Sequence, residues 1–343
     1  MSPRESFSGT LPLVQVRVRF TVEENYRGWR LDHYLCEKIQ RLSREQVKKL
    51  IAERLEVEPG RPRLKPSSRV VPGLAFALVR EREAEPDTPL EFSVIHDDGA
   101  LLVVDKPAGL PVHPTARYLS HTFTALARAR FPERKVDPAH RLDRETSGLL
   151  ACGCAREHTA ALKRAFACGA VKKTYLALAL GSPASDAFVI DAPLALARTS
   201  LVRVRMHVDE GGLPSRTRFL VLGRRRAEDG TAVTLLACSP ETGRQHQVRA
   251  HLCHAGLSMV GDKIYGPDEA IFDRFTRHEL SEKDLARLRL PRHALHAHRL
   301  ELPHPVTGAT VRFESPLPED LAEFWEACRG RADFSSRELH SGT

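Results

Sequence analysis

The chain has 343 residues, 42% of them hydrophobic, which suffices for about two folded domains of ~150 residues each and excludes global disorder. Lys and Arg number 52 against 44 Asp and Glu, and the formal net charge of +8 favours a polyanionic partner such as nucleic acid. The sequence has no apolar run near ~20 residues, no secretory signal pattern and seven scattered Cys, so we expect a cytoplasmic protein without membrane spans or a disulfide framework.

The N-terminal part of the sequence predicts a small basic domain. Alternating apolar and polar residues over 13–22 predict a strand, and the apolar repeat in WRLDHYLCEKIQ predicts a helix after it. A second helix is expected to begin after Ser43, which can form a capping box with Gln46. The exposed side of this helix pair carries a set of basic residues: Arg30, Arg41, Arg44, Lys48 and Lys49.

Turn-forming residues set the expected domain boundaries. A Pro- and Lys-rich loop precedes a short hairpin or strand pair over 70–79. Residues 80–92 are charged and contain two prolines, which predicts a linker. We therefore expect one domain over 13–82, a second over 90–330 and a frayed, flexible tail over 331–343.

The larger second part mixes strands and helices without a regular alternation. Strand patterns occur over 101–114, which ends in a Pro- and Gly-rich loop, and over 171–181 and 232–240. Helical patterns occur at SHTFTALARARF, REHTAALKRAF, RQHQVRAHLCHAG and PEDLAEFWEACR. This order predicts an α+β fold with a mostly antiparallel mixed sheet.

Two stretches place polar groups against apolar runs. HRLDRETSGLL (140–150) passes from titratable side chains into a run that continues as LLACGCA and is expected to be a buried strand. Asp143 in this stretch admits three interpretations, namely a surface ion pair, a turn cap or a reactive carboxylate. KKTYLALALG places Tyr175 on a strand, where a tyrosine usually packs half-buried.

A third stretch, ETGRQHQVRAHLCHAG (241–256), carries four basic or titratable residues beside a helix that follows a Thr-Gly turn: Arg244, His246, Arg249 and His251. A helix start of this kind can hold an anion. The spacing of its His and Cys residues matches neither HExxH nor paired CxxC, so no metal site is expected.

Together these stretches resemble the RluA family of RNA pseudouridine synthases over about residues 92–330. The motifs keep the family's order, and they are DKPAGLPVHP, HRLDRETSG, KKTYLAL, TGRQHQVRAHL, GDKIYG and ALHAHRLELPHPVTG. Residues 27–80 resemble an S4 RNA-binding domain, with LEVEPG in place of the usual V-x-V-N-G turn. The resemblance implies a pseudouridine synthase catalytic domain preceded by a small S4-like α/β domain that binds RNA.

The reaction of this family detaches uracil from its ribose at N1, turns it and rejoins it through C5. The resemblance implies that Asp143 is the essential carboxylate, that Tyr175 stacks on the uracil and helps remove the C5 proton, and that Arg244 pairs with Asp143. It also implies base flipping. The residues expected to bind the flipped uridine are Arg141, Val248, His140 and Thr146. No cofactor or metal is implied, because bonds are exchanged within one nucleotide.

The resemblance leaves the RNA substrate open. The S4-like domain and the chain length favour large-subunit ribosomal RNA, with tRNA, or both, as the alternative. Two further classes of function stay open, namely a catalytically silent ribosome-assembly factor and a hydrolase that uses Glu145 as a second carboxylate. Ser281 is expected to cap a short helix within 267–292, whose charges form either an RNA contact or, as we favour, a solvated surface. We expect a monomer.

Overall fold

The computed structural model describes residues 13–40, 42–58, 62–115 and 117–330. Arg41 and the predicted tail over 331–343 lie outside the described residues. The chain forms two compact units, which divide between Pro86 and Asp87, within the predicted linker.

The smaller unit combines a strand sheet with two helices. Its elements are β1 (Leu13–Thr21), a short 3-10 turn (Glu24–Tyr26), α1 (Leu31–Lys38), α2 (Arg44–Arg54), β2 (Leu55–Val57) and β3 (Ala75–Glu83). The sheet is antiparallel with the order β1-β3-β2. Ser43 caps α2 and forms the predicted capping box with Gln46. Apolar residues of both helices pack with Phe76 and Leu78 of β3 to form the core.

The prediction for the end of this unit was wrong in one respect. Residues 70–79 do not form a hairpin or strand pair, because the Pro72-Gly73 turn leads into the single long strand β3. This strand continues to Glu83 and so takes in the first residues of the predicted linker. It extends that far because its whole length pairs with β1, from Thr21 opposite Ala75 to Leu13 opposite Glu83.

The larger unit contains the remaining elements. In chain order they are β4 (Ser93–Asp97), β5 (Leu101–Lys106), α3 (Phe123–Arg130), β6 (Asp137–Pro138), β7 (Ser147–Gly153), α4 (Arg156–Ala167), β8 (Lys172–Leu180), β9 (Ala187–Asp191), β10 (Leu194–Leu196), β11 (Met206–Val208), β12 (Arg216–Arg226), β13 (Ala232–Pro240), α5 (Gln247–His254), α6 (Ala270–Thr276), α7 (Glu282–Leu288), β14 (Leu295–Pro303), β15 (Thr310–Glu314) and α8 (Glu319–Ala327). The four predicted helices occur as α3, α4, α5 and α8, and Ser281 caps α7.

One large sheet organises this unit and confirms the predicted α+β fold. Its order is β4-β5-β7-β14-β8-β13-β12-β9, with β15 beside β14 and β6 beside β7. Within the described strands, only β7 and β14 pair in parallel. The other pairs of the sheet are antiparallel, although only some of them, such as β12 and β13, are joined by a short loop.

The central strand β14 brings distant segments together. Ala297 of β14 pairs with Gly148 of β7 on one side and with Tyr175 of β8 on the other. Gly148 has φ +107°, and a Cβ added there would lie 2.3 Å from the carbonyl oxygen of Ala297. Only glycine allows this approach, so Gly148 fixes the loop before β7 next to the strand that carries Tyr175.

Candidate active site

The loop that carries Asp143 joins β6 to β7 and is held by buried hydrogen bonds. The N–H of Thr146 donates to the carbonyl of Asp143 at 3.1 Å and closes a turn. Below the turn, the fully buried Lys106 donates to three carbonyls, those of Pro107 (2.8 Å), Leu110 (2.9 Å) and Arg144 (3.1 Å). Burial lowers the pKa of Lys106 to about 7, while the three acceptors use every N–H of its ammonium form.

His140 and Thr146 both bond to neighbouring parts of the protein around this loop, and their predicted role in binding substrate stays a prediction. His140 Nε2 accepts from the N–H of Ala151 at 3.0 Å, and its ring stacks on Phe166. Burial lowers the pKa of His140 to about 3, so the ring is neutral. Thr146 is buried, and its hydroxyl lies 2.7 Å from Nε2 of His293.

Arg249, and not Arg244, pairs with Asp143, which corrects the prediction. Arg249 Nη1 donates to Asp143 Oδ2 at 2.9 Å. Its other edge forms two bonds to Asp262, from Nε at 2.6 Å and from Nη2 at 2.8 Å. Arg244 lies before the first turn of α5 and donates from Nε to the carbonyl of Pro214 at 3.1 Å.

This pairing keeps Asp143 ionised in a largely buried position. Burial alone would raise its pKa, but the charge of Arg249, the smaller influence of His246 and His293 and the hydrogen bond from Arg249 together outweigh burial and lower the pKa of Asp143 to about 2. Of the two carboxylate oxygens of Asp143, only Oδ2 accepts a hydrogen bond from the described residues, and Oδ1 has no partner among them. The arrangement therefore offers a charged carboxylate oxygen to a ligand.

His246 also lies near Asp143, with Nε2 at 3.9 Å from Oδ2. It caps α5 in a left-handed conformation with φ +55°. Its Nδ1 is 3.0 Å from the hydroxyl of Tyr265, which accepts from the N–H of Met206 at 2.9 Å. Tyr265 can then donate its own proton to Nδ1, which leaves the His246 proton on Nε2, facing Asp143. Burial, assisted by Arg249, lowers the pKa of His246 to about 4.

Tyr175 and Val248 pack in the same apolar cluster, and the predicted place of Val248 in the base pocket stays a prediction. Val248 is buried in the cluster formed by β8, β13 and α5, and Tyr175 packs against that cluster. Tyr175 also packs against a second cluster that contains Leu142. Burial, and then the charge of Asp143, raise the pKa of Tyr175, so its phenol is neutral.

Arg141 and Glu145, which flank Asp143, differ in their freedom to meet a ligand. Arg141 is exposed, and within the described residues it makes no hydrogen bond or ion pair. Glu145 accepts from Lys263 through both oxygens, at 2.9 and 3.0 Å, and from Arg144 at 3.0 Å. Its carboxylate is therefore occupied by ion-pair partners within the protein.

The predicted RNA-binding residues of the smaller unit are largely ion-paired. Asp32 is fully buried and accepts from Arg30 at 2.9 and 3.0 Å and from Arg44 at 3.1 and 3.2 Å. The hydrogen bond from Arg30 is the main cause of the lowered pKa of Asp32. Lys48 pairs with Glu45, and Lys49 lies 4.0 Å from Glu53. One carboxylate thus orients two guanidinium groups that keep an excess positive charge.

Neither a metal-binding cluster nor a membrane-spanning helix occurs in the part of the chain that the structure describes. No group of three or more His, Cys, Asp or Glu residues there is placed to hold a metal ion. No helix there has the length and apolar character that crossing a membrane requires.

Several residues of the site carried no predicted role, although each lies in a stretch that resembled a family motif. Lys106 belongs to DKPAGLPVHP, while Asp262 and Tyr265 belong to GDKIYG. His246 and Arg249 belong to TGRQHQVRAHL. The motifs marked the right segments, but only the fold shows which side chains point to Asp143.

The chain is similar to known proteins over most of its length. The model of the RNA pseudouridylate synthase family matches residues 100–254. Ribosomal large subunit pseudouridine synthase D of Nitrosomonas europaea is 35% identical over 326 residues, which cover 91% of this chain and 88% of that protein. Ribosomal large subunit pseudouridine synthase C of Pasteurella multocida is 31% identical over 320 residues, which cover 90% and 93%.

A solved structure extends the likeness to the fold. Human RNA Pseudouridylate Synthase Domain Containing 1 superposes with a TM-score of 0.59 at 25% identity, covering 74% of this chain and 95% of the human chain. Relatives above 30% identity thus align with nine-tenths of the chain, and the matched family segment contains Asp143, Tyr175 and Arg249. The chain therefore belongs to the RluA family of RNA pseudouridine synthases, which are isomerases that act on RNA.

Proposed function

We propose that the protein converts specific uridines of large-subunit ribosomal RNA to pseudouridine, with Asp143 as the catalytic carboxylate. The observation that carries this proposal is the Arg249-paired, ionised Asp143 with Oδ1 unoccupied. The names of the relatives, which refer to the large ribosomal subunit, support the choice of substrate. All seven Cys are free, which supports a reducing, cytoplasmic location, where we propose that the protein acts as a monomer.

Asp143 is proposed to act at the ribose when the bond from C1′ to N1 breaks. A cationic sugar is stabilised by a carboxylate that attacks it or lies beside it. Alternative tasks of the same oxygen are attack on the base and removal of a ribose proton. In each case Arg249 keeps Asp143 charged and oriented, because its other two hydrogen bonds go to Asp262.

Tyr175 is proposed to stack on the detached uracil while the base turns. After C5 joins C1′, C5 carries both a hydrogen and the sugar, and N1 gains the proton that balances the loss from C5. Loss of the C5 proton restores the conjugation of the ring, so a weak base suffices. The neutral phenol of Tyr175 can relay this proton.

Extruding the uridine costs a few kcal/mol, and we propose that phosphate contacts offset this free energy. Arg141 is exposed next to Asp143 and is proposed to enter the space that the flipped base leaves. Arg30, Arg44, Lys48 and Lys49 of the S4-like unit are proposed to contact the RNA backbone. The binding of the flipped uridine by His140 and Thr146 stays a proposal.

The substitution Asp143→Asn tests this proposal. It removes the charge and keeps the shape of the side chain, so we expect pseudouridine formation to be abolished while RNA binding persists. Pseudouridines are mapped chemically in large-subunit ribosomal RNA from a strain that lacks the protein, after incubation with each variant. Asp186→Asn changes an exposed carboxylate of the same unit and is the matched control.

The same mapping separates the competing functions. Robust activity of Asp143→Asn would contradict the proposed mechanism, and modification of tRNA alone would replace the proposed substrate. A hydrolase would release free uracil, but it normally needs a second carboxylate. The occupied carboxylate of Glu145 does not favour a hydrolase.

A further inference from the structure

Phe275, in the α6 helix of segment 267–292, lies against the residue that follows Asp143. The guanidinium carbon of Arg144 is 5.4 Å from the centre of the Phe275 ring and 5.7 Å from the centre of the Tyr118 ring. Lys263 Nζ is 4.7 Å from the Phe275 ring. One aromatic ring therefore contacts two cations at once, and both distances fall within the range of cation–π attraction.

These two cations belong to an ion cluster at the base of the catalytic loop. Arg144 donates to the Tyr118 hydroxyl at 2.5 Å and to Glu145 at 3.0 Å, and Lys263 bonds both oxygens of Glu145. The backbone carbonyl of Arg144 accepts from Lys106 and from the N–H of Gly109. Arg144 is thus held at both ends, and its neighbour Asp143 has little freedom to move.

The remaining surface of segment 267–292 does not have the charge of an RNA-binding surface. It contains six Asp or Glu and six Lys or Arg, so its formal charge is zero. Its arginines are engaged in ion pairs: Arg274 with Asp268 and Asp284, Arg277 with Asp273, Arg287 with Asp268, Arg289 with Asp229, and Arg292 with Asp320. The contact of this segment with the catalytic loop, by contrast, is specific.

We propose that segment 267–292 is a positioning element for the catalytic loop, and that Phe275 holds Asp143 in place by covering the cluster of Arg144, Glu145 and Lys263. This inference rests on the proposed function of Asp143. A ring over the cluster excludes water and so strengthens the attraction between the charges beneath it. Phe275 is a positioning residue and not a catalytic one, since it acts through Arg144.

Three variants test the role of the ring. Phe275→Leu removes the aromatic face and keeps an apolar side chain, whereas Phe275→Tyr keeps the face. Phe272→Leu is the matched control, because Phe272 lies on the same helix and packs against the cluster of Ile264 and Tyr265. Its ring centre is 6.4 Å from that of Phe275, but among the contacts of the described residues its ring covers neither Arg144 nor Lys263. Each variant is measured for single-turnover pseudouridine formation at saturating RNA, for the Kd of the same RNA, and for hydrogen exchange of residues 140–146 in the free protein. The RNA is the unmodified large-subunit transcript.

For Phe275→Leu we expect single-turnover formation to slow by about tenfold with Kd unchanged, since small displacements of a catalytic group cost this much or more. Exchange of residues 140–146 should become faster. Phe275→Tyr and Phe272→Leu should match the wild type in rate, Kd and exchange.

Wild-type exchange of residues 140–146 in Phe275→Leu would overturn the proposal, as would equal losses of rate in Phe275→Leu and Phe272→Leu. A higher Kd with an unchanged rate would make Phe275 an RNA contact and would also overturn it. The exchange measurement needs no activity, so failure of the proposed function is recognised separately, by wild-type protein that forms no pseudouridine or by an active Asp143→Asn variant.

Discussion

At the scale of single residues, the site depends on how Arg249 divides its hydrogen bonds. Two of them go to the buried Asp262, and one goes to Asp143. Burial would raise the pKa of Asp262, but it is opposed above all by the charge and hydrogen bonds of Arg249, and the pKa is lowered. Both carboxylates are therefore charged and share one guanidinium. Asp262 thereby fixes the orientation of Arg249, and Asp143 is stabilised without losing its second oxygen to the protein. A Lys at position 249 could not reproduce this fork.

The pH dependence of the rate tests this division. Arg249→Gln combined with Asp262→Asn removes the charge beside Asp143 without leaving a buried carboxylate unpaired. Burial, the largest single influence on this carboxyl, is then opposed mainly by His246 and His293, so the pKa of Asp143 rises above its wild-type value. We expect the single-turnover rate of this variant to fall as the pH drops from about 7 to 5, where the wild-type rate stays level because the pKa of Asp143 is about 2.

Asp262→Asn alone is the control for this experiment, because it keeps the positive charge of Arg249 next to Asp143. Its rate should follow the wild-type dependence on pH. If the double variant and the wild type lose activity over the same range of pH, Arg249 does not set the ionisation of Asp143.

The residues of this site were predictable to different degrees. Asp143 is the only Asp and Tyr175 the only Tyr of its motif, so the resemblance selects these two residues, and their roles stay predictions. Arg244 and Arg249 occupy one motif, and the choice between them depends on where the helix begins. The left-handed His246 starts α5 after Arg244, which leaves Arg244 outside the helix and turns Arg249 towards Asp143. Nothing in the sequence indicates the contact between Phe275 and Arg144, since it joins segments that are 131 residues apart.

At the scale of elements, the contact between β7 and β14 determines where the catalytic loop lies. The parallel pairing is short, Ser147 with His296 and Gly148 with Ala297. The hydroxyl of Ser147 also lies 3.0 Å from Nδ1 of His296. The predicted strands and helices were mostly correct because apolar patterns are local. The insertion of β14 between β7 and β8 could not be predicted in this way, because strand order depends on contacts between distant segments.

Gly148→Ala tests the importance of this contact. The new Cβ would meet the Ala297 backbone at 2.3 Å in a conformation that strains any side chain. We expect the free energy of unfolding in urea to fall by about 2–5 kcal/mol, which combines backbone strain and overpacking. Gly230→Ala is the control, since Gly230 has φ +82° with nothing within 4 Å, and it should lose only about 1 kcal/mol. Equal losses at the two positions would mean that the close approach of β7 to β14 contributes nothing.

At the scale of the whole molecule, chemistry and RNA contact are assigned to different units. The larger unit has its own cores and contains all the residues around Asp143. The smaller unit has a separate core and two arginines oriented by Asp32. Its likeness to an S4 domain remains a prediction, and so does its role in RNA binding.

Deletion of residues 1–86 tests this assignment, because the chain divides after Pro86. We expect the larger unit to fold and to bind RNA more weakly. Loss of the phosphate contacts of Arg30 and Arg44 should also reduce the slope of log K against log salt by about 2. Binding is measured by filter retention over a series of salt concentrations. An unchanged affinity and salt slope would assign RNA binding to the larger unit alone.

The central position of β14 in the sheet also has a consequence for the synthesis of the protein. Translation yields the chain from its N-terminus, so β7 and β8 exist before the strand that must lie between them. The 123 residues from the end of β8 to the end of β14 take about 6–25 s to translate at ~5–20 residues per second. During that interval the edges of both strands are open, and the nascent chain is at its most vulnerable to aggregation. β14 lies between β7, which follows the Asp143 loop, and β8, which carries Tyr175. An enzyme whose β14 has not yet been synthesised is therefore expected to be unable to modify RNA.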